Sequence, residues 1–293
     1  MINKLCIGCA KFGINYGINK SRKSVLTLNK VEKIIKYACS NGIKIFDVAS
    51  DYGDAEKKLG KISKKLNLNL NIISKLPYKI KKNENISIWF NNSLNNSLKK
   101  LNKKYIYGLH VHNPSFLIEK DKDFFYEKLL EAKALGKIKK IGVSIYKEHE
   151  LEQIMSNFKI DMIQLPINLF DRRFETKGFL KHLKNMGVEI QARSIFLKGL
   201  LLTSKTQRPN FFKIWEKLFL KIDNWRIANK TNLIKICLDY VSSLKEIDKI
   251  IVGCSDRKNI EIILKNLKKP LKPIFPDLKI NDERLLLPSN WKN

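Results

Sequence analysis

A closed (β/α)8 barrel, an α/β fold, is predicted by three observations. Eight short apolar, β-rich runs alternate with longer amphipathic stretches from one end of the chain to the other. That alternation reads as βαβ units and a parallel sheet. The chain has 293 residues, and the barrel typically needs about 250. Side chains able to do chemistry stand at the ends of the runs, and enzymes on this fold keep their sites at the carboxyl ends of the strands.

The first run is LCIGCA, 5–10. The stretch 29–42 follows, with Val31, Ile34, Ile35 and Ala38 at helical spacing and Gly42 as a stop. The second run, 43–49, opens IKIFDVASDYG and places Asp47 and Tyr52 at its end. The third, 71–77, carries Lys75. The fourth, 106–112, ends on His112, with His110 two residues back on the same strand face. The fifth, 139–146, holds Ser144, and the sixth, 162–170, holds Gln164 and Asn168. The seventh, 189–196, ends on Phe196. The eighth, 249–255, carries Gly253 and Ser255. Helical stretches at 86–101, 124–136, 149–158, 177–187, 232–244 and 257–267 fall among the later runs. An open doubly wound sheet is the alternative for this order, but eight pairs suit closure better.

No linker rich in Pro, Gly and Ser interrupts the rhythm, so 1–293 reads as one domain. The segment 197–231, between the seventh and eighth runs, carries Phe211, Phe212, Trp215 and Trp225. It reads either as a packed extra helix or as a lid or wall of a pocket. The proline-punctuated tail, 270–293, is expected to pack back on the barrel near its mouth.

Composition narrows the function. The net charge is +29, yet only eight of the 57 basic residues are Arg, and the lysines spread along nearly every predicted helix. Nucleic-acid footprints concentrate their charge on one face, often with aromatics, so a generally basic surface is the reading. No apolar run approaches the ~20 residues of a membrane span. The N-terminus has no signal-peptide pattern. The five cysteines are an odd number, which points to a reducing, cytoplasmic setting. Cys6 and Cys9 have CxxC spacing, but a strand would turn them to opposite faces, and no partner pair completes a metal site. No metal is expected.

The stretches GCAKFG (8–13), GIKIFDVASDYGDAEKKLG (42–60), ISKLP (73–77), LHVHNP (109–114), GKIKKIGVS (136–144), IQLPINLFDRR (163–173), ARSIFLKGLL (192–201) and IVGCSDR (251–257) together resemble the aldo-keto reductase superfamily. The resemblance covers most of the chain. It implies a nicotinamide-dependent reduction of a small-molecule carbonyl, with Tyr52 as general acid to the oxygen that receives the hydride. Lys75 would lower the pKa of that phenol, and Asp47 would hold Lys75 charged. His112, just before an x-Pro turn, would orient the substrate oxygen, with His110 one layer deeper. His149 and His182 fall on outer helices. Read without the resemblance, Asp47 serves as a strand-end cap and Tyr52 as a rim aromatic.

Cofactor roles follow from the same resemblance. Ser144 and Asn168 would hold the nicotinamide carboxamide, Gln164 would support it, and Phe196 would lie near the ring or the pyrophosphate. As plain structure, Ser144 and Asn168 would cap the segments that follow them. Gly253, Ser255 and Arg257 would meet phosphate at a helix N-terminus, and Arg257 favours NADP(H) over NAD(H). The family's Glu-Asn pair further along this helix is replaced here by Ile262 and Ile263, which leaves Asn259 as the candidate adenine contact. A sugar or nucleotide-sugar carbonyl suits the basic surface. Three alternatives stand beside the reductase. They are a nucleotide-binding, non-catalytic regulatory or partner subunit, a Schiff-base enzyme using Lys75, and a nucleic-acid binder.

Overall fold

The computed structural model describes residues 1–18, 25–268 and 275–291. Its strands are β1 (Leu5–Gly8), β2 (Ile45–Asp47), β3 (Asn71–Lys75), β4 (Ile106–Val111), β5 (Ile138–Ser144), β6 (Met162–Pro166), β7 (Glu189–Arg193) and β8 (Lys249–Gly253). They close into a barrel in sequence order. All neighbours are parallel, and β8 meets β1 with Gly253 beside Gly8. The predicted fold class is the one observed.

Each strand stops short of the apolar run that announced it. β4 ends at Val111, so His112 opens the following loop. β7 ends at Arg193, because the chain leaves the β region at once: Ser194, Leu197 and Lys198 have φ of 57°, 46° and 52°. Phe196 therefore stands at the head of a short 3-10 segment, Leu197–Leu202, instead of closing a strand.

Alternate strand residues such as Ile7, Phe46, Leu109, Val143 and Ile190 face outward and share one core with the helices. The helix Leu28–Ser40 gives that core Val31, Ile34, Ile35 and Ala38, the four residues its spacing singled out. Burying each of the Val and Ile side chains stabilises the fold by about 1.5–3 kcal/mol. Its start is fixed by Thr27, whose hydroxyl accepts from the Lys30 amide at 3.4 Å. It stops before Gly42, which has the positive φ (81°) that glycine tolerates best.

The segment after β7 contains a helix, Glu216–Ala228. Phe219 on it lies 5.3 Å from Phe170, beyond β6. The segment also packs against the tail: Phe212 and Trp291 are 5.0 Å apart, and Trp215 Nε1 donates to Asp282 Oδ2 at 3.2 Å. Ile280 N donates to Phe170 O at 3.0 Å, which ties the tail to the loop after β6. Of the tail named from sequence, 270–274 and 292–293 lie outside the described residues. Among the described residues, no helix is long and apolar enough to cross a membrane.

Candidate active site

The neighbouring strands β2 and β3 end on Asp47 and Lys75 at the carboxyl end of the barrel, with Asp47 in register with Ile73 and Lys75 two residues beyond. Lys75 Nζ lies 2.5 Å from Asp47 Oδ1 and 3.3 Å from Val48 O. Asp47 is 4% exposed and Lys75 1%. A pair this deep persists only when its remaining lone pairs and protons are also satisfied. Gln164 on β6 meets part of that need by donating Nε2–H to Asp47 Oδ1 at 2.9 Å.

Tyr52 is placed above this pair by a tight turn. Its amide donates to Ala49 O, and its carbonyl accepts from Ala55 N, both at 3.0 Å. The turn is locked by two glycines. A Cβ on Gly13 would come within 1.7 Å of Tyr52 O, and a Cβ on Gly53 within 2.3 Å of Gly13 O. The loop after β1 and the Tyr52 turn therefore meet backbone to backbone. Lys75 Nζ lies 5.5 Å from the centre of the Tyr52 ring. The His112 ring stands edge-on to Tyr52 at 6.3 Å and to Tyr78 at 5.5 Å.

Electrostatics correct one expectation. Burial pushes the Tyr52 phenol well above its ordinary pKa, and the Asp47 charge pushes the same way. These two effects outweigh the lowering that the sequence reading expected of Lys75, so the phenol ends up raised. Burial lowers the His112 pKa, and Asp51 only partly opposes it. The contact between His112 Nδ1 and Asp51 Oδ2 is 3.7 Å, too long for a hydrogen bond. His112 is therefore a neutral imidazole at pH 7.

The residues named for the cofactor divide into two groups. Ser144 ends β5 buried, beside Gln164. Asn168 ties two loops together: its Oδ1 accepts from Phe170 N and Asp171 N at 3.0 Å, and its Nδ2 donates to Ser194 O at 3.2 Å. Gln164 turns its nitrogen inward, to Asp47 and to Gln191. Phe196 is partly buried in the apolar core. The second group sits after β8. Asp256 caps the helix Arg257–Leu267 by accepting from Asn259 N at 2.9 Å. Asn259 Oδ1 accepts in return from Ser255 N, Ser255 Oγ and Asp256 N. The oxygen of Asn259 is thus committed to the cap, which leaves only its Nδ2 for the adenine role read from sequence. Arg257 pairs with Glu261 at 2.6 Å and lies 4.7 Å from the Tyr37 ring. His110 lies wholly inside the barrel, as expected, and His149 and His182 are exposed.

Sequence reading missed Glu189, Gln191 and Arg193. They alternate along β7, so all three face the barrel axis. Polar residues at every second place of EIQAR were the available signal. The Arg193 guanidinium lies 3.7 Å from the Tyr146 ring centre, and its Nη2 donates to Ile145 O at 2.8 Å. Lys198 sits between the rings of Tyr16 (5.5 Å) and Trp291 (5.8 Å). Among the described residues, neither cation has a carboxylate partner.

A buried lysine–aspartate pair under a phenol, at the carboxyl mouth of an eight-stranded barrel, defines a class of protein as well as a geometry. Residues 4–274 match the family model described as the aldo/keto reductase family, and the chain belongs to that family. It is similar to the aldo-keto reductase YhdN of Bacillus subtilis, with 28% identity over 192 residues, 60% of this chain and 55% of the relative. An uncharacterized oxidoreductase of Schizosaccharomyces pombe is 27% identical over 175 residues, 57% of this chain and 60% of the relative. The chain thus spans less than two thirds of these curated relatives. Among solved structures, the holo form of an aldo-keto reductase from Bacillus halodurans superposes with a TM-score of 0.75 at 17% identity, covering 92% of this chain and 88% of that one. A putative aldo-keto reductase from Pseudomonas aeruginosa gives 0.66 at 17% identity, covering 90% and 89%. At such identities these two structures share the fold.

Proposed function

We propose that the protein is an NADP(H)-dependent oxidoreductase that reduces an aldehyde or ketone, with Tyr52 as the general acid. One observation carries this reading: the buried Asp47–Lys75 pair lies directly beneath the Tyr52 ring, with His112 edge-on beside it.

The residues present fit a dinucleotide. Gly253 ends β8 at the carboxyl mouth, and a Cβ built on it would meet nothing within 4 Å, so the backbone there is open to a close ligand. The next helix begins two residues beyond Ser255, and backbone N–H groups at a helix start favour phosphate. The exposed Arg257 offers a fork of donors to a 2′-phosphate, in exchange for Glu261. Asp256 opposes an anion at the same place, so Arg257 is what favours NADP(H) over NAD(H). Ser144 and Asn168 are the residues this reading assigns to the carboxamide, Asn168 in exchange for a loop contact such as that to Ser194 O. When bound, the reduced nicotinamide supplies the hydride.

The chain's own residues handle the proton. As the carbonyl carbon receives a hydride, its oxygen gains negative charge. The raised pKa of Tyr52 keeps the phenol protonated at neutral pH. An alkoxide is a stronger base than a phenolate, so the O–H bond of Tyr52 breaks toward the substrate oxygen even from this elevated phenol. The Lys75 ammonium then lies beside the phenolate and stabilises it. Neutral His112 donates a hydrogen bond to the same oxygen and fixes the approach of the carbonyl. The unpaired cations Arg193 and Lys198 and the generally basic surface suit an anionic substrate, such as a nucleotide-linked or phosphorylated sugar. The five cysteines are free, which agrees with a reducing, cytoplasmic setting.

The test is fluorescence titration with NADPH and NADH, on wild type and on Arg257→Ala, followed by an aldehyde and sugar screen against Tyr52→Phe. Micromolar NADPH binding weakened in Arg257→Ala, with turnover abolished but binding kept in Tyr52→Phe, supports the proposal. Binding of neither nucleotide sinks it.

A further inference from the structure

Below the Asp47–Lys75 pair, a column of polar side chains runs down the barrel axis, and the proposed chemistry leaves most of it unused. At its foot, Glu189 opens β7 at the amino-terminal end. Its Oε2 accepts from Tyr107 Oη at 2.5 Å and from Lys140 Nζ at 2.6 Å. Gln191 Nε2 donates to Glu189 Oε1 at 2.9 Å and to Met162 Sδ at 3.4 Å. Gln191 Oε1 faces His110 Nε2 at 3.0 Å and Gln164 Nε2 at 3.3 Å. The same Gln164 nitrogen reaches Asp47. Gln191 and His110 are 0% exposed, and Gln164 is 1%.

The direction of the bonds in this column follows from the carboxylates at its two ends, Glu189 at the foot and Asp47 at the top. A carboxylate only accepts. Burial alone would protonate Glu189 more readily, but Lys140, Tyr107 and Gln191 outweigh it and hold its pKa below the ordinary value. Gln191 must therefore turn its amide nitrogen toward Glu189 and its oxygen up the barrel. Two groups must then donate into that oxygen. His110 must be the Nε2–H tautomer, and its Nδ1 is indeed buried without a partner. Gln164 must present its NH2, whose second hydrogen goes to Asp47.

We propose that Glu189 and Gln191 are positioning residues for the reaction. Glu189 sets the direction of the Gln191 amide, the Gln191 oxygen so presented anchors the Gln164 amide, and Gln164 gives Asp47 the hydrogen bond that helps hold the Lys75 ammonium under Tyr52. The catalytic part rests on the reductase reading. The orientation of the column does not.

Glu189→Gln is the informative variant. The new amide keeps its oxygen toward Lys140 and Tyr107, which both donate, so its NH2 faces Gln191. Gln191 must then invert, and His110 must accept through Nε2 and carry its proton on Nδ1; Gln164, whose NH2 is kept on the acceptor-only Asp47 carboxylate, loses its bond to Gln191. Nitrogen NMR of labelled imidazoles reads the tautomer directly. The wild type is expected to show His110 as Nε2–H, and Glu189→Gln as Nδ1–H. Glu189→Asp keeps a carboxylate and with it the wild-type tautomer. In the kinetic arm, kcat is expected to fall roughly ten- to hundredfold in Glu189→Gln, the effect of one hydrogen bond to a charged group. NADPH affinity should stay unchanged.

An Nδ1–H tautomer in the wild type overturns the proposal with no variant needed, so a failure of Glu189→Gln to fold does not protect it. An unchanged tautomer in a folded Glu189→Gln, or a switched tautomer with unchanged kcat, also overturns it. If the wild type reduces no carbonyl, the reductase reading fails, while the tautomer comparison still decides whether Glu189 orients the column.

Discussion

Replacing Lys75 with Met removes an ammonium from a site where little else can answer Asp47. The two charges are 2.5 Å apart and both are buried. At an effective dielectric constant near 20 their attraction is about 7 kcal/mol, before desolvation is subtracted. In the variant, Asp47 keeps only the 2.9 Å bond from Gln164. Leaving one partner of a buried pair uncompensated typically costs about 3–5 kcal/mol, against a total stability of about 5–15 kcal/mol. The double variant Asp47→Asn, Lys75→Met removes both charges, and its loss is expected to be much smaller than the sum of the two single losses. Urea unfolding at pH 7, followed by tryptophan fluorescence, gives all four corners of the cycle. The expected coupling is at least about 2 kcal/mol, the scale of contacting residues. A double variant whose loss equals the sum of the singles within about 0.5 kcal/mol would refute the argument that the pair is a single energetic unit.

His110 predicts a loss of stability in acid. Burial lowers its folded pKa to about 4, while the unfolded value is about 6.5. Between those values the unfolded chain binds the extra proton, so stability present above pH 6.5 is lost as pH falls toward 4, by up to about 3 kcal/mol. His112, also lowered, acts in the same direction. Urea midpoints across that window should fall less steeply for His110→Gln than for wild type, and parallel slopes would contradict a buried neutral His110. Gly13→Ala places a methyl 1.7 Å from Tyr52 O, so this distant loop should control the phenol. Expression, near-UV circular dichroism and turnover of Gly13→Ala are expected to fall together, and a folded variant of wild-type activity would show that the two backbones need not meet there.

Much of the fold was legible because its signals are local. Eight apolar runs, helical spacing as at Val31, Ile34, Ile35 and Ala38, and terminators such as Gly42 need no knowledge of distant contacts. Asp47, Tyr52, Lys75 and His112 were legible for a related reason: each is a reactive side chain at or just past the end of a run. Direction was not legible. Gln164 was expected to support the carboxamide, and nothing in the sequence shows that its nitrogen faces Asp47 and Gln191, on strands β2 and β7. Asn259 looked free for a ligand until the cap around Asp256 took its oxygen. The shift of Tyr52 was misjudged because its largest cause is burial, which depends on the packing of distant segments around the phenol.

The column also bears on why this barrel closes in one register. An apolar interior tolerates small slips, because one aliphatic side chain packs much like another. A chain of directed hydrogen bonds does not. Asp47, His110, Gln164 and Gln191 come from β2, β4, β6 and β7, and a one-residue slip of any of these strands turns its residue out of the barrel. The glycines impose the same demand sterically. A Cβ on Gly142 would lie 2.4 Å from His110 Nδ1, and one on Gly108 would lie 2.1 Å from Met162 Cε. The spaces these glycines leave on β4 and β5 admit His110 and Met162 only in the observed pairing, His110 beside Gly142 and Gly142 beside Met162. Buried polar groups are tolerated only when satisfied, so the pairing that satisfies the column is also the pairing that fills the barrel. The alignment of the Lys75 ammonium with Tyr52 then follows from closure itself, and disturbing the foot of the barrel should be felt at its mouth.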